Sequence, residues 1–200
     1  MSDLIFKRAG NRTFRGLERG KNLDKLAANH SHCFLEKNSV WKGPFTFIQA
    51  ADSQFGLIDE FRFVDWSAGY EKAIEQSKSY KARGLSDWTE EIRLSKLALS
   101  QWNAMSPKPK FVVICGDIIN DYPGMKFNRP QIDDFKKVYS ALDNDIPLVL
   151  LPGNHDILDN PTEDSIEHYR KHFGDDYFAF WVDGVMFIGE LFPIFKFIPA

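Results

Sequence analysis

The chain has 200 residues, 44% hydrophobic and 14% aromatic, which is enough apolar material for one domain with a buried core. Its formal net charge of -3 provides no long-range attraction for nucleic acid or for an anionic membrane, so we expect neither as a partner. The two cysteines are too few for a disulfide framework and no apolar stretch is long enough to cross a bilayer, so we expect a cytoplasmic protein.

Residues 1–40 are polar, are broken by glycines and show no lasting apolar period, which predicts an N-terminal arm lying over the domain. His30, His32 and Cys33 lie within this arm. Such a short segment cannot easily surround a metal ion without ligands from elsewhere, so a solvent-exposed surface is the favoured interpretation.

The first predicted strand runs from Phe45 to Ala51 and ends at the polar residues Asp52, Ser53 and Gln54. The segment 57–86 is long for a loop in a compact domain, with a short helix predicted from Ile74 to Lys81. Its position after Asp52 is compatible with a wall of a cleft and equally with an exposed insertion.

The middle of the chain alternates helical and strand patterns. A helix is predicted between Asp87 and Pro107, and a buried strand follows from Phe111 to Cys115 and ends at Gly116-Asp117. A second helix from Pro130 to Leu142 leads to the strand that starts at Leu148. This order predicts an α/β fold with a parallel sheet.

After this strand, a helix is predicted from Thr162 to His172, and two apolar runs around Asp183-Gly184 predict a β-hairpin. His168 and His172 are four residues apart on the helix, a spacing that can hold a metal ion. Because no third ligand lies nearby in the sequence, we interpret both as surface or helix-capping residues.

The three predicted parallel strands all end in polar side chains, which therefore converge at one edge of the sheet. Asp52, Asp117 and Asn154 offer oxygen atoms that suit divalent metal ions, with Asp117 placed to bridge two of them. His155, steadied by Asp156, is predicted to protonate or to stabilise a leaving oxygen. The pattern thus predicts metal-dependent hydrolysis of a phosphate ester.

Asp52-Ser-Gln54, Gly116-Asp-Ile-Ile-Asn120 and Gly153-Asn-His-Asp156 resemble the ordered motifs of the calcineurin-like metallophosphoesterases. The resemblance implies an α/β/β/α sandwich and two divalent metal ions, with manganese, iron, zinc and magnesium left open. Four further segments, which begin at Trp41, Ala51, Pro107 and Gly174, resemble one branch of this family more closely. That closer resemblance implies a cytosolic serine/threonine protein phosphatase that acts on phosphoproteins, among them the kinase Akt.

Two departures from the family pattern bear on activity. Gln54 stands where most of the wider family has a metal-binding histidine, which makes its neutral amide a weaker predicted metal ligand. The family's later histidine motif is absent, and the tail 189–200 does not resemble the family's continuation. We therefore expect a truncated isoform in which residues 41–188 form the amino-terminal part of the domain and the second sheet is largely missing.

Such a chain has too few ligands for two metal ions of roughly six ligands each, so full phosphatase activity is not expected. Two other functions stay open on the sequence alone. The first is a non-catalytic isoform that binds a phosphoprotein or a kinase, and the second is a nucleotide phosphodiesterase with the same metal site.

Overall fold

A computed structural model describes residues 40–61, 64–82 and 87–189. Its elements are β1 (Ile48–Ala50), α1 (Leu57–Phe61), a 3-10 turn (Trp66–Ala68), α2 (Tyr70–Ala82), α3 (Thr89–Ala104), β2 (Val112–Cys115), α4 (Asn128–Tyr139), β3 (Leu148–Leu151), α5 (Asn154–Ile157), α6 (Glu163–Phe173), β4 (Phe178–Val182) and β5 (Val185–Gly189). The predicted arm, with His30, His32 and Cys33, and the predicted tail lie outside the described residues, except for Val40 and Gly189 at their borders.

β1, β2 and β3 form a parallel sheet in that order, as the alternation of strand and helix patterns predicted. Val112 of β2 is paired with Ile48 of β1 on one side and with Leu148 of β3 on the other. This register brings the carboxyl ends of all three strands to one edge, where polar residues follow each strand.

Helices cover one face of this sheet because their apolar side chains recur at helical spacing. α4 contributes Ile132 and Phe135, and α6 contributes Tyr169 and Phe173, all of which are fully or almost fully buried. Leu99 of α3 joins the same cluster. This layer forms the main core and holds the sheet in place beneath the candidate site.

The opposite face of the sheet is covered by the antiparallel hairpin β4–β5. Its turn consists of Asp183 and Gly184, with φ angles of 46° and 87°, the conformation that favours Asp-Gly in two-residue hairpins. Phe180 of the hairpin packs with Phe111 and Val149 of the parallel sheet. The predicted hairpin is confirmed, and with it an α/β fold whose second sheet is small.

The segment 57–86 is more helical than its sequence pattern predicted. α1 and the 3-10 turn precede α2, which starts at Tyr70, four residues before the predicted helix start at Ile74. Among the described side chains of α2, Ala73 is buried and most others are exposed, so the helix lacks the broad apolar face that pattern analysis detects.

Within the described ranges no helix is both long and apolar enough to cross a lipid bilayer.

Candidate active site

The turn after β1 is tied to the turn after β2 by backbone hydrogen bonds. The amide of Asp52 donates to the carbonyl of Gly116 at 3.1 Å, and that of Gln54 donates to the carbonyl of Asp117 at 3.0 Å. The Ser53 hydroxyl donates to the Ile118 carbonyl at 2.9 Å. These bonds fix the two acidic turns side by side, with the Asp52 side chain exposed.

The turns after β2 and β3 approach so closely that two glycines are required. A Cβ atom on Gly153 would collide with the Asp117 carboxylate and backbone amide. A Cβ atom on Gly116 would lie 2.9 Å from the Gly153 Cα atom, and Gly116 also has a φ of 84°. The His155 amide donates to Asp117 Oδ1 at 3.1 Å across this contact. Asp117 is therefore held directly against the third predicted motif.

His155 is half-buried, and its ring is oriented by a backbone group. Its Nδ1 atom lies 2.5 Å from the carbonyl oxygen of Asn120, which can only accept a hydrogen bond. The proton on Nδ1 is thereby assigned, and Nε2 is the nitrogen left for proton exchange. The Tyr122 ring stacks on the imidazole at a centroid distance of 4.8 Å.

Asp156 has a different contact from the one predicted. Its carboxylate accepts hydrogen bonds from the amides of Gly153 at 2.8 Å and Ile118 at 3.1 Å, whereas His155 is oriented by Asn120. Burial raises the pKa of Asp156, the two amide bonds oppose this rise and the nearby charge of Asp117 adds to it, so that the pKa is about 7 in all. Asp156 thus joins the turns after β2 and β3.

Gln54 is buried beside the same turns. Its Nε2 atom donates to Asn120 Oδ1 at 3.4 Å, which leaves its amide oxygen as the metal-ligand candidate. A cavity of about 250 Å³ adjoins Gln54 and Asp52 and is walled by Leu57, Leu94 and Trp102. The start of the segment 57–86 therefore does line a cavity next to the predicted site.

The donor set at this edge fits a hard divalent cation. Asp52 and Asp117 supply carboxylate oxygens, and the Asn154 side chain, which is exposed, supplies an amide oxygen. In the described part of the chain, no three side chains of His, Cys, Asp or Glu are clustered as metal ligands. The donor set therefore consists of carboxylates supplemented by amides, with no imidazole ligand among these residues.

Three residues near the site were not singled out as site residues from the sequence: Asn120, Tyr122 and Asp159. Asn120 stood within a quoted motif, but its contribution to His155 is a backbone carbonyl, which any residue type provides. Tyr122 and Asp159 carry no spacing signal, and the folding of the turns alone brings the Tyr122 hydroxyl to 3.1 Å from Asp159 Oδ2.

The two histidines with metal-pair spacing, His168 and His172, lie on α6. The rings of His168 and His172 are 4.7 Å apart, and His168 Nε2 lies 3.0 Å from Asn128 Oδ1. The interpretation of both as surface residues is wrong for His172, which is 6% exposed, although it lies in the last turn of α6, where a capping residue was the alternative. Burial lowers the pKa of His172, and the positive charges of His168, Lys136 and other neighbours lower it further, to about 4 in all.

Comparison with known proteins supports the resemblance to the calcineurin-like phosphoesterases that the three sequence motifs indicated. The sequence profile described as calcineurin-like phosphoesterase matches residues 45–197. The chain is 46% identical to the human protein named serine/threonine-protein phosphatase CPPED1 over 153 residues, which are 76% of this chain and 44% of the human one. It is 41% identical over 170 residues to the Mus musculus protein of that name, and 37% identical over 182 residues to that of Danio rerio.

These alignments cover 85% of this chain and 47% of the mouse protein, and 91% of this chain and 49% of the zebrafish protein. The chain thus spans about half the length of the curated relatives it matches. No solved structure matches it significantly. Since the profile covers most of the residues and includes all three motifs at the sheet edge, the chain belongs to the calcineurin-like phosphoesterase family.

Proposed function

We propose that this chain is a metal-dependent phosphoesterase of the serine/threonine protein phosphatase type. The observation that carries the proposal is the joining of three strand ends. The turn that bears Asp52 is joined by backbone hydrogen bonds to the turn that bears Asp117, and the Asp117 carboxylate accepts the amide of His155 in the third turn. The name of the relatives, serine/threonine-protein phosphatase, supports the choice of phosphoprotein substrates.

The calcineurin-like phosphoesterase family generally uses divalent metal ions. In this proposal Asp52, Asp117, Asn154 and the amide oxygen of Gln54 hold two such ions, with manganese, iron, zinc and magnesium as candidates. When bound, divalent cations supply positive charge that attracts a phosphate group and polarises a water molecule. The carboxylates suit these ions because they are hard oxygen donors at an exposed edge of the sheet.

His155 has the geometry of a proton donor in this scheme. Its Nδ1–H is held by the Asn120 carbonyl, so the protonated ring can release the proton from Nε2 to the oxygen of the leaving serine or threonine. Asp117 accepts the His155 backbone amide and thereby fixes the histidine relative to the cation ligands. The buried Asp156 carboxylate holds the turn of Asp117 at a fixed distance from the turn of His155, because it accepts an amide hydrogen bond from each of the two turns.

The finer assignments rest on the family resemblance. We propose phosphoproteins as partners, with the kinase Akt as one substrate, and a cytoplasmic location. Release of phosphate from a peptide that carries the phosphorylated Akt sequence tests the first assignment, and imaging of a tagged chain in cells tests the second. A chain that hydrolyses unrelated phosphopeptides but not this one would contradict the assignment of Akt.

The proposed activity is tested by hydrolysis of p-nitrophenyl phosphate by the purified chain, with and without added Mn²⁺. We expect Mn²⁺-dependent turnover in the parent chain, at a reduced level because these residues cannot fill the coordination spheres of two metal ions. Asp117→Asn keeps an acceptor for the His155 amide but weakens the cation ligand, so turnover should fall by on the order of 100-fold or more. His155→Gln should lower turnover by on the order of 100-fold at unchanged Mn²⁺ affinity.

Asp133→Asn is the matched control, because Asp133 is exposed on α4 and pairs with Arg129. Its turnover should equal that of the parent. Equal turnover in Asp117→Asn and the parent would contradict the proposed site. A folded parent chain that retains a phosphopeptide without releasing phosphate would instead support the non-catalytic alternative, and preference for bis(p-nitrophenyl) phosphate would support a diesterase.

A further inference from the structure

The Asn154 side chain has an orientation that its contacts define. Its Nδ2 atom donates to Asp159 Oδ1 at 2.7 Å. Because a carboxylate only accepts hydrogen bonds, the NH₂ group and not the carbonyl of Asn154 must face Asp159. The amide oxygen of Asn154 is thus the atom left for a partner on the other side.

Tyr122 connects this arrangement to His155. Its hydroxyl donates to the second carboxylate oxygen, Asp159 Oδ2, at 3.1 Å, and its ring lies against the imidazole of His155 at an interplanar angle of 21°. Burial raises the pKa of the Tyr122 phenol, and the bond to Asp159 raises it further, so the hydroxyl stays a donor at neutral pH. Tyr122 therefore contacts the His155 ring directly, and it reaches the Asn154 side chain both by a hydrogen bond and through Asp159.

We propose that Asp159 and Tyr122 are positioning residues of the candidate site. Asp159 holds the Asn154 amide so that its Oδ1 atom is presented to a divalent cation. Tyr122 holds Asp159 through its hydroxyl and the His155 ring through its face. This inference rests on the proposed function, which gives Asn154 and His155 their roles. Both residues act through neighbours, as outer-shell partners of metal ligands do.

The first test is calorimetric titration of the full chain with Mn²⁺. Asp159→Ala removes the acceptor of the Asn154 amide and should weaken Mn²⁺ binding about tenfold. Asp159→Asn removes the same charge but keeps an acceptor oxygen for Asn154, so it should bind within about threefold of the parent. Tyr122→Phe keeps the ring stack and loses the hydroxyl, for an expected loss of about threefold.

Asp164→Ala is the matched control, because it removes an exposed carboxylate from the first turn of α6. Its Mn²⁺ affinity should equal that of the parent. Equal weakening in Asp159→Asn and Asp159→Ala would show a charge effect and overturn the positioning role, as would unchanged affinity in Asp159→Ala. By contrast, unchanged Mn²⁺ affinity in Asp117→Ala, or no binding by the parent chain, would refute the proposed function itself.

The second test needs no metal ion. The side-chain amide signals of Asn154 in a ¹⁵N correlation spectrum are assigned by their disappearance in Asn154→Ser. In the metal-free chain these signals should shift in Asp159→Ala and stay in place in Asp164→Ala. Unshifted Asn154 signals in Asp159→Ala would overturn the inference, whatever the result of the titration.

Discussion

Asp52, Gln54 and Asp117 all have positive φ angles, of 54°, 32° and 48°. This region disfavours side chains with a Cβ atom, so each such residue costs of order 1 kcal/mol and persists only where its surroundings impose the conformation. Here the surroundings are the hydrogen bonds that tie the turn after β1 to the turn after β2. Strain of this kind at three candidate ligand positions supports a site that is built before any ligand arrives.

His172 gives the molecule a predicted pH dependence of stability. Its pKa is about 4 in the folded chain against an ordinary value of 6.5, because burial and nearby positive charges disfavour the imidazolium. Between these values the unfolded chain binds a proton that the folded chain does not, so stability falls as the pH falls from 6.5 towards 4. Protonation of His172 therefore lowers the free energy of unfolding by about 3 kcal/mol once the pH is below both pKa values.

The groups that face His172 are His168 and Lys171 on its own helix and Arg129 and Lys136 on α4. Replacing His172 by Gln removes the titration, so urea unfolding at pH 7 and at pH 4.5 should show a smaller loss of stability than in the parent. Gln101→Ala is the control, since Gln101 is exposed on α3 and carries no titratable group. A variant His172→Gln whose stability follows the parent at both pH values would contradict the prediction.

The sequence indicated Asp52, Asp117, Asn154 and His155 because each follows an apolar run that ends abruptly, and the structure places these residues on adjacent turns. A backbone carbonyl is the same in every residue type, so a sequence pattern cannot indicate its contacts. For this reason Asp156 was predicted to orient His155, whereas the structure shows that the Asn120 carbonyl does so. His172 was assigned to the surface because its helix was read without knowing that α4 packs against it.

At the scale of elements, α5 and α6 are joined by a capping arrangement. The Thr162 hydroxyl accepts from the Ser165 amide at 3.1 Å, and the Ser165 hydroxyl donates to the Ile157 carbonyl at 2.6 Å. Ile157 is the last residue of α5, the helix that contains Asn154 and His155. The start of α6 thereby anchors the short helix of the site.

We expect Thr162→Ala to destabilise the chain by about 1 kcal/mol, because the amide of Ser165 loses its capping partner. Thermal unfolding followed by circular dichroism measures the effect. Thr162→Ser keeps the capping oxygen and should unfold within a few tenths of a kcal/mol of the parent. If Thr162→Ser and Thr162→Ala are equally destabilised, the methyl group rather than the cap is responsible.

The elements predicted most closely were those with a strong apolar pattern. β2 and β3 are continuous apolar runs because side chains on both of their faces are packed, and α4 buries one face at helical spacing. The two runs of the hairpin are separated by the Asp183-Gly184 turn signal. The segment 57–86 gave a poor prediction because α2 buries little of its described surface. Without a burial period, only its propensities remained, and these are a weak guide to helix bounds.

In the molecule as a whole, β2 and β3 are packed from both sides. Helices α4 and α6 contact one face, and aromatic residues from the hairpin contact the other. Phe111 stands next to β2 with its ring 5.3 Å from Phe180 and 4.9 Å from Phe187. This packing holds rigid the two strands whose carboxyl ends carry Asp117 and Asn154.

Phe111→Ala tests whether the two layers act as one cooperative unit. Phe111 is 1% exposed, so its loss leaves a cavity between the layers and should destabilise the chain by about 3–5 kcal/mol. Phe47→Ala is the matched control, because Phe47 stacks on Phe111 at 4.9 Å but is 40% exposed, and its loss should cost about 1 kcal/mol. Urea unfolding monitored by fluorescence gives both values.

Phe111 precedes β2, whereas Asp117 follows it, so the change lies at the end of the strand opposite the site. At temperatures where Phe111→Ala is still folded, its Mn²⁺ affinity should therefore remain within about twofold of the parent, because the hydrogen bonds that join the turns after β1, β2 and β3 are intact. Loss of Mn²⁺ binding in a folded Phe111→Ala chain would mean that packing of the hairpin β4–β5 on the parallel sheet, and not the turns alone, sets the geometry of the ligands.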